Sequence, residues 1–327
     1  MKNNRSKAEK GNLSELSFSS FGRSQEVFAL ASGVKRNSFL EIKKINLLNS
    51  FLKELKFFSP LFDYKFSMAR APAWNKKEAG DYHLTFCIGR KKTEVDKISN
   101  LFKEPNPNHR EIGTMLGYPF CCVNEQYKPE VDLSKVFKVE KANIIDFRIN
   151  NFYLRSDVNM FLARHYVCSY RCKKTIDRVD EILNYLRQFP YIRNFYIKNL
   201  KKPFLFLFPS PNPQRSIISR GVVFGFKGEY ENSKRLNYKK VYYSEKFMTD
   251  LVVTNKAKKI YHELLKGNNL RITQEGVDVY LNSNKKSTIK DESLFAFWPK
   301  DLLKKSYYYR GAWSGNRTHT SLTDSGF

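Results

Sequence analysis

The sequence predicts an α+β fold in which a helical, cysteine-containing core is flanked by a sheet and followed by a small β-rich part. Two patterns lead to this prediction: apolar residues at helical spacing prevail before Pro190, and strand-like segments prevail after it. No repeat of 20–50 residues is present. With 41% hydrophobic residues among 327, the chain can bury a real core, as one large domain or two modest ones.

Helices are predicted where apolar residues recur every three or four positions. Phe39 to Phe58 has this spacing with lysines on the other face, and packing against a core is favoured for it over lying on a membrane. The other predicted helices are Glu94 to Phe102, His109 to Met115, Asn159 to Tyr166 and a helix that starts at Thr175. The predicted strands are Tyr82 to Ile88, Phe204 to Phe208, Ser216 to Phe226, Lys240 to Tyr243 and Val277 to Leu281.

Four segments are predicted along the chain. Residues 1–35 form a disordered basic arm, 36–230 the Cys/His-containing α/β core domain, 231–312 a β-rich extension, and 313–327 an unselected tail. The arm begins with polar residues and no apolar signal region follows them. The longest apolar run, Pro203 to Pro209, is far shorter than the roughly 20 residues of a membrane helix, so no transmembrane segment is expected.

The tail carries information of another kind. Gly315 to Thr318 reads Gly-Asn-Arg-Thr, and one set of codons for it is the reverse complement of a transfer-RNA T-arm. The reading frame is therefore interpreted as running into a tRNA gene on the opposite strand. Because the chain is also rich in Lys, Asn, Ile, Phe and Tyr, as AT-rich genomes encode, an organellar origin is predicted. The compartment would be a plastid (stroma) or a mitochondrion (matrix), with the plastid favoured.

The charge points to anionic partners. Lysine and arginine outnumber aspartate and glutamate by 58 to 32, which gives a net charge of +26 and makes RNA or another polyanion a candidate partner. Basic and aromatic residues alternate in Tyr191 to Lys202 and in Lys304 to Arg310, as in proteins that stack on single-stranded RNA. The alternative is that genomic bias supplies the charge and that these aromatic residues belong to the core.

The chemistry is concentrated in Cys121, Cys122, His165, Cys168 and Cys172. An odd number of cysteines, five, without a secretory signal argues for reduced thiols rather than disulfides. Thiolate and imidazole ligands at the spacing His-x2-Cys-x3-Cys suit Zn²⁺ or an iron–sulfur cluster. Because the side chains of adjacent cysteines diverge, one of the first pair is expected to be a ligand and the other a buried neighbour.

Gly117, Tyr118 and Pro119 are predicted to form the turn that positions this first pair. Glycine permits unusual backbone angles and proline presets a helix start. Cys121 and Cys122 should therefore lie in the first turn of a helix, where the positive end of the helix dipole favours thiolate. The segment from Cys168 to Cys172 is expected to be a loop or a tight turn.

Other residues that can carry chemistry are given structural interpretations. Cys87 lies in a predicted strand and is expected in the core. Asp177, Asp180 and Glu181 alternate with basic residues and are interpreted as a solvated salt-bridge face rather than as catalytic carboxylates. The remaining histidines are expected on the surface or in packing: His83, His109, His262 and His319. The sequence contains no glycine-rich phosphate loop, zinc-protease motif or nucleophile elbow.

The blocks Leu116 to Val123 (L-G-Y-P-F-C-C-V) and His165 to Cys172 (H-Y-V-C-S-Y-R-C) resemble an uncharacterised prokaryotic family, domain of unknown function 483 and its relatives. The likeness covers about residues 80–225. The family usually has proline where this chain has Val167. The matching positions are Leu116, Gly117, Tyr118, Pro119, Cys121, Cys122, Val123, His165, Cys168, Ser169 and Cys172. The resemblance implies that both cysteine groups belong to one site, and it implies no activity.

The sequence thus predicts an organelle-encoded basic protein in which zinc or an iron–sulfur cluster pins two loops together. The ligands would be Cys121 and/or Cys122, Cys168, Cys172 and His165. Two alternatives stay open. One is a thiol-dependent enzyme with a cysteine of the first pair as nucleophile and His165 as base. The other is an RNA-binding protein without catalytic activity.

Overall fold

The computed structural model describes residues 24–42, 45–59, 63–72, 82–126, 142–149, 162–163, 165, 167–169, 171–208, 222–232, 234–243 and 251–302. These residues form eight α-helices and two β-sheets, so the predicted α+β class is confirmed. The helices are α1 (Ser24–Ala31), α2 (Ile45–Phe58), α3 (Lys92–Lys103), α4 (His109–Met115), α5 (Phe120–Gln126), α6 (Lys173–Tyr185), α7 (Pro190–Leu200) and α8 (Leu251–Leu265). The strands are β1 (Asn37–Ile42), β2 (Lys65–Pro72), β3 (Tyr82–Gly89), β4 (Ala142–Asp146), β5 (Phe204–Leu207), β6 (Val222–Asn232), β7 (Arg235–Tyr243), β8 (Asn269–Ile272), β9 (Val277–Leu281), β10 (Asn284–Ile289) and β11 (Leu294–Lys300).

The smaller sheet is antiparallel and has the strand order β1-β3-β2. Its central strand β3 carries apolar side chains on both faces, because successive residues of a strand point to opposite sides. Cys87 belongs to an apolar cluster with residues of α3 and α4, whereas Phe86 and Ile88 belong to a cluster with residues of α1, α2, α6 and α7. Helices therefore cover both faces of this sheet.

The larger sheet has the strand order β10-β9-β8-β7-β6-β5-β11-β4. Strands β11 and β4 are parallel, and every other neighbouring pair is antiparallel. Strand β5 is buried throughout. Leu205 and Leu207 face the apolar cluster that contains residues of α8, whereas Phe204 and Phe206 face the cluster that contains two cysteines and has two more packed against it. The cysteine residues thus lie on the face of the large sheet opposite α8.

Most predicted elements are confirmed with bounds that differ by a few residues. These are the helices at Glu94, His109 and Thr175 and the strands at Tyr82, Phe204 and Val277. The strand predicted at Ser216 to Phe226 is described from Val222 and extends to Asn232, and residues 216–221 lie outside the described residues. The strand predicted at Lys240 to Tyr243 begins earlier, at Arg235, and the two strands pair as neighbours β6 and β7. Five residues of the helix predicted at Asn159 to Tyr166 lie outside the described residues. Among the described helices, none has both the length and the apolar character to cross a membrane.

The helix predicted from Phe39 to Phe58 is wrong in its first part. Strand β1 occupies Asn37–Ile42 and pairs with β3, and the helix begins only at Ile45. The three-residue spacing of Phe39 and Ile42 fits a helix, but pairing with a distant strand decides the conformation. Beyond Pro190 strands prevail among the described elements, as predicted, and helices α7 and α8 accompany them.

Two predicted domain bounds differ from the structure. Helix α1, placed in the disordered arm, buries its apolar side chains in the core. Strand β6 runs through the expected bound between residues 230 and 231, and β11 of the predicted extension lies between β5 and β4 of the predicted core domain. One hydrogen-bonded sheet joins the two parts, so they are not separate domains. Residues 1–23 of the arm and the tail 313–327 lie outside the described residues.

A buried arginine ties the large sheet to α6. Arg148 pairs with Asp146, Asp180 and Asp301, with a nitrogen–oxygen distance of 2.7 Å in each case. Asp146 ends β4, and Asp301 directly follows β11, its parallel neighbour. The Asp146 carboxylate is fully buried and also accepts from the backbone N–H of Leu302 at 3.2 Å. The network compensates the guanidinium for the water it has lost.

We predict that Asp146→Asn destabilises the protein by about 3 kcal/mol, because it leaves Arg148 buried with weaker compensation. Asp180→Asn is the matched control and should cost less than about 1 kcal/mol, since Asp180 is partly exposed. Burial raises the pKa of the Asp180 carboxyl, and the hydrogen bond from Arg148 opposes this, so its ionised form adds little. Chemical denaturation followed by circular dichroism measures both. Equal losses would contradict the role of Asp146 as the main counter-ion.

Candidate metal centre

The turn between α4 and α5 positions the first two cysteines. Gly117 lies in the left-handed region at φ 74°, and the N–H of Tyr118 donates to the carbonyl of Gly113 at 3.0 Å. This is a Schellman arrangement, whose left-handed position favours glycine. The carbonyl of Pro119 then accepts from the N–H of Cys122 at 2.8 Å, and α5 begins. The predicted turn and the place of the cysteine pair in the first helical turn are therefore confirmed.

Cys168 and Cys172 belong to the segment before α6. The N–H of Cys172 donates to the carbonyl of Ser169 at 3.0 Å, which closes a tight turn as predicted. The carbonyl of Cys172 accepts from the N–H groups of Thr175 and Ile176 at 3.1 and 3.0 Å, so Cys172 is the N-cap of α6. Its side chain makes no capping hydrogen bond, and its sulfur faces the other cysteines.

The sulfur atoms of Cys121, Cys122, Cys168 and Cys172 all lie within 4.8 Å of one another. Cys172 Sγ is 3.7 Å from Cys121 Sγ and 3.6 Å from Cys122 Sγ. Cys122 and Cys172 are buried, and the other two are half-buried. Four sulfur donors this close can hold a metal ion. Cys172 Sγ contacts both cysteines of the adjacent pair, and the expectation that one of the two is a ligand and the other a buried neighbour stays a prediction.

The thiols share their protons unequally. Hydrogen bonds from Cys122 and Cys168 hold the pKa of Cys172 far below the ordinary thiol range. Hydrogen bonds with Cys122 and Cys172, together with burial, raise the pKa of Cys168. The pKa of Cys122 rises to about 12, because its hydrogen bond with Cys168 lowers it less than burial and the bond with Cys172 raise it. Without a cation these pKa shifts favour a thiolate at Cys172 that accepts hydrogen bonds from the thiols of Cys122 and Cys168, since neighbouring like charges disfavour each other.

His165 is buried beside the thiols but is one hydrogen bond removed from them. Its Nε2 lies 2.9 Å from Thr175 Oγ1, and this hydroxyl lies 3.3 Å from Cys172 Sγ and 3.6 Å from Cys122 Sγ. Burial lowers the pKa of the imidazole to about 3, and nearby positive charges act in the same direction. The ring is therefore neutral at pH 7. In metal sites, a histidine in this position orients the ligands. A general base for Cys121 or Cys122 would contact the sulfur atom directly, whereas Nε2 of His165 contacts the Thr175 hydroxyl.

Arg178 on α6 supplies positive charge beside the cysteines. Burial lowers the pKa of its guanidinium, and attraction to Glu181 and to three of the cluster thiols opposes that shift.

The prediction that Asp177, Asp180 and Glu181 form a solvated salt-bridge face is only partly right. Lys173 bridges Asp177 at 2.7 Å on the surface, whereas Asp180 joins the buried arginine network of the large sheet.

Sequence reasoning missed Thr175 and Lys35 as members of this site. For Thr175 the sequence pattern predicts only the start of a helix. Its spacing of three from Cys172 is the signal that could have placed it at the site, since the third helical residue faces the N-cap. No local pattern connects Lys35 with the site. Its Nζ pairs with the buried carboxylate of Glu26 at 2.9 Å and lies 4.5 Å from the ring centre of Tyr118, whose ring packs against His165.

The other cysteine and the other histidines lie apart from this group. Cys87 is fully buried in β3, and burial raises the pKa of its thiol to about 12, which confirms the predicted core role. His109 is half-buried at the start of α4, where burial lowers its pKa, and His262 is exposed on α8. The side chains of His83 and His319 lie outside the described residues.

Comparison with known proteins assigns no family to the chain: it matches no protein-family model, no curated protein and no solved structure. The resemblance to domain of unknown function 483 therefore stays a prediction that rests on the two sequence blocks.

We predict that iodoacetamide modifies the cysteine group of reduced, chelator-treated protein at least about tenfold faster than Cys87 at neutral pH. Cys87 is fully buried and its raised pKa leaves almost no thiolate, whereas Cys121 and Cys168 are half-buried and Cys172 has a lowered pKa. Peptide mass spectrometry after timed quenching measures the rates. Urea-unfolded protein, in which all five cysteines react alike, is the control. Equal protection of all five in the folded chain would contradict the geometry.

Proposed function

We propose that Cys121, Cys122, Cys168 and Cys172 bind one zinc ion as thiolates and that this ion has a structural role, fastening α5 to the segment before α6. The observation that carries the proposal is the mutual proximity of the four sulfur atoms, with Cys172 at 3.7 and 3.6 Å from the adjacent pair. A tetrahedral zinc ion with bonds of about 2.3 Å sets its sulfur ligands about 3.8 Å apart.

The sulfur spacing supports one ion over an iron–sulfur cluster. A cluster places its own iron and sulfide atoms between the thiolates and so holds the cysteines further apart than a single shared ion does. Here all four sulfur atoms lie within 4.8 Å. Four cysteines are also the donor set of structural zinc sites, whereas catalytic zinc keeps one position open for water or substrate.

The position of the group in the fold supports a structural role. Cys122 and Cys172 belong to the apolar cluster that packs on β5 and β11 of the large sheet. Helix α4, which leads into α5, packs on one face of the small sheet, and α6 packs on its other face. An ion at this junction joins Cys121 to Cys172, which are 51 residues apart, and closing so long a loop restricts the unfolded chain.

The surroundings of the sulfur atoms support an anionic centre. Four thiolates around one divalent zinc ion carry an excess of negative charge, and the Arg178 guanidinium lies within reach of three of them. The hydroxyl of Thr175 donates to Cys172 Sγ, and hydrogen bonds of this kind orient metal ligands and tune their basicity. Positive charge and hydrogen-bond donors both stabilise thiolates over thiols.

We predict that anaerobically purified wild-type protein contains about one zinc ion per chain and has no visible absorption band. Cys168→Ser should lose the zinc and unfold at a lower temperature, because zinc binding and folding are coupled. Cys87→Ala is the control, since it removes a buried thiol outside the group and should keep the zinc. Elemental analysis and absorption spectra measure the outcome. Iron with a broad visible band, or full zinc content in Cys168→Ser, would contradict the proposal.

We predict that Thr175→Val weakens zinc binding by about 10–100-fold without changing the stoichiometry at saturating zinc. The substitution removes the hydroxyl that donates to Cys172 and contacts His165, and it preserves the shape of the side chain. Thr114→Val on the exposed side of α4 is the matched control. Competition with a chromophoric chelator measures the affinity. An affinity equal to that of the control would show that Thr175 serves packing alone.

A further inference from the structure

A groove of about 980 Å³ lies between the end of α7, the β6–β7 hairpin and the residues that flank β8 and β9. None of the cysteine-group residues lines it. Its walls carry five lysines and two glutamates, which gives a net charge of +3. The lysines are Lys198, Lys201, Lys202, Lys227 and Lys239. They come from three different elements, so the fold itself gathers the positive charge.

Four of these lysines have no carboxylate partner within the part of the chain that the structure describes. Lys198, Lys201, Lys227 and Lys239 take part in none of the ion pairs there, although Glu229 lines the same groove. All four side chains are exposed. Like charges gathered in a concave surface repel one another, and an anion bound between them lowers that energy.

A β-bulge helps to direct two of the lysines. Gly228 pairs with Tyr238, but the register shifts between Lys227 and Gly228, which leaves Lys239 as the extra residue of β7. A bulge bends its strand and re-aims the side chain of the extra residue. Gly228 permits the close approach, because a Cβ at this position would lie 2.1 Å from the carbonyl oxygen of Asn237.

The groove also carries asparagine side chains, which both donate and accept hydrogen bonds. Asn268 Nδ2 donates to Asn282 Oδ1 at 3.1 Å, and Asn237 and Asn269 bond with each other. Amides of this kind can bind phosphate oxygens, ribose hydroxyls and base edges. Lysines beside asparagines therefore offer both charge and hydrogen bonding to one extended anion.

We propose that this groove binds the phosphodiester backbone of a single-stranded nucleic acid. Lysine ammonium groups recognise phosphates as point charges. A flexible strand can enter a concave surface with cations on several elements, whereas a membrane is flat and a duplex is rigid and convex. Tyr230, the half-buried aromatic residue of the groove, stacks on Trp298 of β11, so the contact is with the backbone rather than with the bases.

The test is fluorescence anisotropy of a labelled 12-residue oligouridylate with the full chain, titrated at several salt concentrations. The groove variant combines Lys198→Gln, Lys227→Gln and Lys239→Gln, and it should bind at least about tenfold more weakly. Its salt slope should fall by about 2, since each lost phosphate contact removes about 0.7. Lys53→Gln, Lys56→Gln and Lys259→Gln together form the control, because these exposed lysines lie outside the groove and change the net charge equally. That control should change affinity by less than about twofold.

Three outcomes would overturn the proposal. Equal weakening by both triple variants would mean that the overall charge attracts the oligonucleotide without a site. Equal affinity for a polyglutamate peptide of the same charge would mean that phosphate is not recognised. Binding to anionic phospholipid vesicles but not to the oligonucleotide would assign the lysines to a lipid surface. A deoxythymidylate oligomer of equal length distinguishes the two nucleic acids, and binding of either one through the groove lysines supports the proposal.

Discussion

The contact of one cysteine sulfur with two others is the constraint on which the centre of this molecule depends. Cys172 Sγ lies within 3.7 Å of both members of the adjacent pair, in surroundings that are partly closed to water. Charges at this distance repel strongly where water does not screen them. The group can therefore hold one thiolate among thiols, or several thiolates around a cation. The four sulfur atoms lie within 4.8 Å of one another without an ion, so the proposed zinc ion would find its ligands already close together.

Local backbone geometry accounts for that organisation. The left-handed Gly117 ends α4 and turns the chain so that α5 begins with its cysteine pair, and the turn before α6 makes Cys172 an N-cap. Thr175 then connects the sulfur atoms with the neutral ring of His165. Beyond that ring lie Tyr118 and the buried Glu26–Lys35 pair, so a continuous chain of contacts links the sulfur atoms to α1.

The parts of the site that sequence reasoning found are those whose cause is local. The glycine–tyrosine–proline turn and the cysteine spacing lie within a few residues of one another, and their chemistry can be stated without a fold. The parts it missed depend on partners far along the chain. Phe39 has the spacing of a helix but pairs with Cys87 in a strand. Lys35 reaches the site only because α1 packs in the core, and the bound expected at residue 230 fails because β11 inserts between β5 and β4.

The aromatic and basic run from Tyr191 to Lys202 shows the same contrast between what a local pattern predicts and what the fold decides. Its composition fits both a core helix and a nucleic-acid surface, and the sequence alone offers no way to choose. In the structure Tyr196 is fully buried in the core, whereas Lys198 and Lys201 line the groove that we propose to bind nucleic acid. Because core packing fixes the direction of α7, the apolar face of this helix determines where its lysines lie. The two explanations of the basic charge, genomic bias and anion binding, are therefore compatible. Lysines that an AT-rich genome encodes can still form a binding surface where the fold gathers them from three elements.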